Sequence, residues 1–137
     1  MTSRGPRDEG SVMPMTAILI TFLMLGAWAL VSASEQWAAR RDAYAAAAAA
    51  ARAAAQAVPI ALRGGQVLDV DGAVDRAQSV LAASGYTGTV TVDGQTVTVI
   101  VTTGVGYAFP APGFPSSVTG SATAVARRGV TGDEIGG

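Results

Sequence analysis

Residues 12–34 read VMPMTAILITFLMLGAWALVSAS, and residues 35–58 continue without a break as EQWAARRDAYAAAAAAARAAAQAV. How this run is read decides the fold. No charged residue stands between Glu9 and Glu35, and at ~1.5 Å per residue the stretch 12–34 is long enough to cross a hydrocarbon layer of ~30 Å. It is expected to be a transmembrane helix, with Ile18, Leu19, Ile20, Phe22, Leu23, Leu25, Trp28, Leu30 and Val31 as span residues. Nine positions are Leu, Ile, Val or Phe; at roughly −0.3 to −0.6 kcal/mol each they favour insertion by ~3–5 kcal/mol. Pro14 falls in the first helical turn, where its missing N–H costs little. A soluble buried helix of this kind would need a larger core than 137 residues can build.

A cleaved secretory signal is the competing reading. Arg4 and Arg7 form a short basic region, and Val31-Ser32-Ala33 has the small-x-small pattern that precedes a cleavage site, here after Ala33. The apolar run is longer than a typical signal core, and the residues after it continue as helix. Both readings export the carboxyl-terminal portion.

Alanine, the best helix former, dominates residues 35–58, with no Gly or Pro until Pro59. One rod of about 44 residues and ~66 Å is therefore expected from Met15 to Val58, half of it outside the bilayer. Trp37, Tyr44, Ala48, Ala51 and Ala55 fall on one stripe at helical spacing, while Arg41 and Arg52 share a neighbouring one. Small side chains let helix backbones approach closely, so this stripe reads as a packing face for other helices. A solvent-exposed low-complexity spacer is the alternative. Trp37, near the membrane boundary, fits an aromatic belt.

After a linker at 60–65, Val74, Ala77 and Leu81 mark a short amphipathic helix over 71–83, with Asp71 as N-cap and Gly85 beyond its end. Residues 87–103, TGTVTVDGQTVTVIVTT, alternate strictly around Asp93-Gly94, a strong hairpin signal. A two-residue Asp93-Gly94 loop sets Val92 opposite Gln95 and Val90 opposite Val97. Val90, Val92, Val97, Val99 and Val101 then share one face and the threonines the other. Pro110, Pro112 and Pro115 make 104–116 a loop, carrying Tyr107, Phe109 and Phe114 as a candidate partner-binding patch or as a flap tucked onto the small core. Val118, Ala122, Ala124 and Ala126 alternate in a third strand, Arg127-Arg128 blunts its end, and 129–137 form a Gly-rich tail. The fold class is α+β: a long amino-terminal helix, then a head of one short helix and a three-stranded antiparallel sheet. The segments are 1–11, the span 12–34, the helical extension 35–58, the head 59–128 and the tail 129–137.

Composition narrows the function. The nine basic residues are all arginine, ten are acidic, and the net charge is −1; His, Lys and Cys are absent. That removes the usual general base, Schiff-base amine, thiolate ligand and disulfide framework, so no catalysis is expected and no small-molecule substrate or cofactor is implied. Without a basic block, nucleic acid is an unsuitable partner. Asp69, Asp71 and Asp75 surround Gly72, but an EF-hand placed there would need acids at Val67 and Gln78; helix capping accounts for them, and no metal is expected. A lipid bilayer and other proteins remain as partners.

Arg7-Asp8-Glu9-Gly10-Ser11 directly precedes the uncharged helix, Ala39-Arg40-Arg41 and the alanine run come after it, and a strand ends in Ala122-Thr123-Ala124-Val125-Ala126-Arg127. This layout resembles the TadE/TadG-like proteins of the tight-adherence (Flp-type) pilus assembly systems, in their small actinobacterial form. The resemblance covers most of the chain through loose motifs. It implies a pilin-like fold and a minor pilin or pseudopilin of a pilus or secretion apparatus, with a cytoplasmic amino terminus, one membrane helix and an extracytoplasmic head. It also implies other pilin-like proteins and a prepilin peptidase as partners, with Gly10 and Ser11 flanking the candidate cut. Such peptidases cut after Gly with Glu fifth in the product; here the fifth residue is Met15. Arg4 and Arg7 precede the span while Arg40, Arg41 and Arg52 lie beyond it. The charge bias thus leans the other way, and only the resemblance places the amino terminus inside. The remaining alternatives are an exported binding module released near Ala33 and a permanently anchored accessory protein.

Overall fold

The computed structural model describes residues 12–56 and 68–126. The candidate cut at Gly10 and Ser11, Pro59, the linker at 60–65, Arg127-Arg128 and the tail 129–137 lie outside the described residues. Helix α1 is Val12–Ala55, 44 residues long, followed by α2 at Val70–Ala83 and strands β1 at Gly88–Asp93, β2 at Thr96–Gly104 and β3 at Ser117–Val125. The strands form one antiparallel sheet in the order β1-β2-β3. The fold is therefore α+β, with one long amino-terminal helix, one short helix and a three-stranded antiparallel sheet.

The uncharged and alanine-rich segments form a single uninterrupted helix, because no helix-breaking residue falls between Pro14 and Pro59 except Gly26. At ~1.5 Å per residue it is ~66 Å long. Its two halves have opposite environments. Ile18, Phe22 and Leu23 are exposed, whereas Ala43, Ala46, Ala47, Ala50 and Ala54 are buried against the sheet and α2.

The buried stripe differs from the one read off the sequence. Of Trp37, Tyr44, Ala48, Ala51 and Ala55, only Ala51 is buried; Ala48 and Ala55 are half-buried and Trp37 and Tyr44 exposed. The two stripes differ by about one residue, or ~100° of rotation about the axis. In a run of near-identical alanines the aromatic residues are the only landmarks, and they mark the outer side. The alanine face is covered by the chain's own head.

Helix α2 starts one residue earlier than expected. Its N-cap is Asp69, and Asp71 lies in the first turn, where a carboxylate still favours the helix amino terminus. Ala73 joins Ala77 and Leu81 in the core, with Val74 only half-buried. The helix closes in a Schellman motif: Tyr86 N–H donates to Leu81 O at 2.9 Å and Gly85 N–H to Ala82 O at 3.0 Å.

The hairpin is offset from the expected register. Its loop is Gly94-Gln95, so Val92 pairs with Val97 and Val90 with Val99. Among the described residues only glycines have positive φ, and Gly94 sits at +60°. An Asp93-Gly94 loop of type I′ would force Asp93 to positive φ; placing glycine first requires it at one position only, as in type II′. Because the offset is two residues, the inward face keeps Val90, Val92, Val97, Val99 and Val101. Thr98–Thr123 and Thr102–Thr119 hydroxyl pairs line the outer face at 3.2 and 3.3 Å.

Gly120 occupies the inward face of β3 between Val118 and Ala122. A methyl there would run into the backbone of Ala43 and Tyr44, with Ala43 C at 2.5 Å. Strand and helix are in backbone contact at this point. Gly120→Ala is expected to lower the unfolding free energy by roughly 1–3 kcal/mol. Ser121→Ala, on the opposite face, should change it by less than about 0.5 kcal/mol. Chemical denaturation in detergent micelles measures both.

Candidate functional site at the junction of loop and helix

Residues 105–116 connect β2 to β3 and fold down along α1. Glu35 and Trp28 hold them. Ala108 N–H donates to Glu35 Oε1 at 3.1 Å, and two residues on, Trp28 Nε1–H donates to Pro110 O at 3.1 Å. Trp28 and Glu35 are seven residues apart, two helical turns, and so lie on one side of the helix about 10 Å apart along its axis. The loop therefore descends alongside α1, past the last uncharged residue, to the level of Trp28.

The aromatic residues complete the clasp. Phe114 meets the Trp28 ring edge-to-face, centroids 5.7 Å apart at 85°, and Tyr107 tilts against Phe114 at 6.1 Å. Tyr107 Oη–H donates to Pro115 O at 2.7 Å, tying the two ends of the loop. Ser32 is buried on the same stretch of helix, only 2% exposed. Glu35 Oε2 is also buried and accepts no hydrogen bond. The sequence alone leaves Tyr107, Phe109 and Phe114 between partner patch and flap. The structure divides them: Tyr107 and Phe114 pack inward, and Phe109 is 61% exposed.

The span residues also divide. Ile18, Leu19, Ile20, Phe22, Leu23, Leu25, Leu30 and Val31 are exposed, and Trp28 is half-buried beneath the loop. Sequence reasoning does not find Trp28 and Glu35 as loop anchors; the signal it offers is Glu35 as the first acid after the uncharged run.

A shallow groove of about 870 Å³ lies beside Gly120. Trp37, Arg40, Arg41 and Tyr44 of α1 line it together with Thr119 and Ser121 of β3. It holds cations and aromatic rings but no carboxylate. Among the described residues no three His, Cys, Asp or Glu side chains converge as metal ligands. Asp69 is the N-cap residue of α2, without a side-chain capping hydrogen bond, and Asp71 lies in its first turn, whereas Asp75 is exposed one turn further on.

By length and composition α1 can cross a membrane, and its apolar window is almost wholly uncovered by the rest of the chain. No family model, curated protein or solved structure matches this chain.

Glu35→Ala is expected to remove hydrogen-exchange protection at the Ala108 amide, whereas Glu35→Gln, whose amide oxygen still accepts, should retain most of it. Trp28→Ala should destabilise the loop by about 1–2 kcal/mol through the lost edge-to-face pair and indole hydrogen bond, read as faster exchange at Phe114.

Proposed function

We propose that this chain is a non-catalytic, single-pass membrane subunit of a Tad-like, type IV-related pilus assembly or secretion apparatus, acting as a minor pilin or pseudopilin. The observation that carries it is the division of α1: one continuous helix bears an uncovered, uncharged segment at its start and the head's own packing partner at its end. A rod of this kind transmits the position of the head directly to the bilayer, with no flexible joint between. The span buries itself in lipid before assembly and against neighbouring helices after it. Within lipid, helix packing relies on close approach and not on a hydrophobic gain. The resemblance to TadE/TadG-like proteins supplies the orientation, with the amino terminus cytoplasmic and the head extracytoplasmic, and supplies other pilin-like proteins and a prepilin peptidase as partners.

The exposed outer side of α1 offers Trp37 and Tyr44 for those contacts, since the alanines are already occupied by the head. Absence of His, Lys and Cys from the whole sequence supports a role without turnover. A permanently anchored accessory protein is the second reading, favoured by Met15 in place of the family's acid. Release near Ala33 is disfavoured, because α1 continues through it and Ser32 is buried beside it.

Leu30 is 73% exposed, away from the loop, so Leu30→Arg leaves the head's core intact while adding ~2.5–3.5 kcal/mol to insertion. The variant is expected to leave the membrane fraction; normal fractionation would count against the reading. Intact mass of the membrane-extracted protein separates its versions: a cut after Gly10 marks the pilin-like route and an uncut chain the anchored one, while a cut after Ala33 marks a released module.

A further inference from the structure

We propose that the loop over 107–115 is a bilayer-contacting surface that seats the head in the interfacial layer, with Phe109 inserted among the lipid headgroups. The inference rests on the membrane-span reading of α1 and adds a second point of lipid contact to it.

Depth is the first ground. A layer of ~30 Å takes about 20 helical residues, which from Val12 runs to Val31 and so passes Trp28. The 16 residues of α1 before Trp28 reach only ~24 Å. A bilayer crossed by this helix therefore extends to the level where Trp28 holds Pro110, and the loop comes down to meet it. Tilting the helix draws more residues in and brings the loop deeper.

The loop's chemistry agrees with that depth. No charged residue occurs between Asp93 and Arg127. Irregular backbone is costly near hydrocarbon because its N–H and C=O groups lose water. Here Pro110, Pro112 and Pro115 have no N–H to satisfy. Val105 N–H donates to Ser116 O, Phe114 N–H to Ala111 O and Ala108 N–H to Glu35, while the Pro110 and Pro115 carbonyls accept from Trp28 and Tyr107. Phe109, left 61% exposed on the descending limb between the Glu35 and Trp28 contacts, is the side chain that such a layer takes up: aromatic rings concentrate at membrane interfaces.

The chain contains no cysteine, so single cysteines report without background. Phe109→Cys, Leu23→Cys and Gln78→Cys, each carrying an environment-sensitive fluorophore, are reconstituted as full-length protein in phosphatidylcholine vesicles containing shallow or deep spin-labelled lipid. Leu23 lies in the span and Gln78 on the exposed side of α2. The expected result is strong quenching at Leu23, several-fold stronger quenching at Phe109 by the shallow than by the deep quencher, and none at Gln78. Pro112→Cys, exposed on the same loop, repeats the measurement without removing Phe109. Quenching at Leu23 with none at Phe109 and Pro112 overturns the loop proposal and leaves the span intact. No quenching at Leu23 overturns the span reading, and the loop proposal falls with it.

Discussion

The structure depends on the close approach of α1 to strand β3 at Gly120. The helix offers the sheet almost nothing but methyl groups, and a methyl is worth only ~0.8 kcal/mol when buried. Such a face stabilises a fold only when it lies near enough for many backbone and Cβ atoms to touch at once. Gly120 permits that distance, since any side chain there would strike the backbone of Ala43 and Tyr44. Val97, Val99 and Val101 of the central strand and Leu81 of α2 then close over the remaining alanines. The largest buried residues of the core are valines and the two leucines Leu68 and Leu81, so the head is held by fit more than by bulk.

That contact gives the molecule its mechanical character. The residues that pack the head and those suited to lipid belong to one helix, with no linker between them. The loop clasp at Trp28 and Glu35 adds a second attachment nearer the uncharged segment, so the head is fixed to the helix along nearly two-thirds of its length. The proposed role as a pilus or secretion subunit draws on this rigidity. In that role the protein acts through the position it imposes on its neighbours.

Trp28 illustrates how one residue serves two environments. As part of an uncharged run it belongs with the span by composition, yet its indole donates to a loop carbonyl and its ring meets Phe114 edge-to-face. An indole has an apolar body and one polar N–H, and both are used here. Two turns along the helix, the buried Oε2 of Glu35 accepts no hydrogen bond.

The sequence by itself determined the element types and their order. An uncharged run of more than twenty residues, an alanine block without breakers, strict Val/Thr alternation and a Pro-rich interruption each admit one local structure, because helix propensity and side-chain period are local properties. It also determined the inward face of the hairpin, since parity survives an offset of two residues. Only the tertiary structure decided which side of the alanine helix is buried, because seven consecutive alanines carry no rotational mark. It decided the turn as well, by giving the positive φ to Gly94 and not to Asp93. The pairing of Trp28 and Glu35 with a loop more than seventy residues away was likewise its decision. Contacts of that range depend on where the helix and sheet come to rest against each other, and a methyl-lined interface leaves no trace of its orientation in the order of residues.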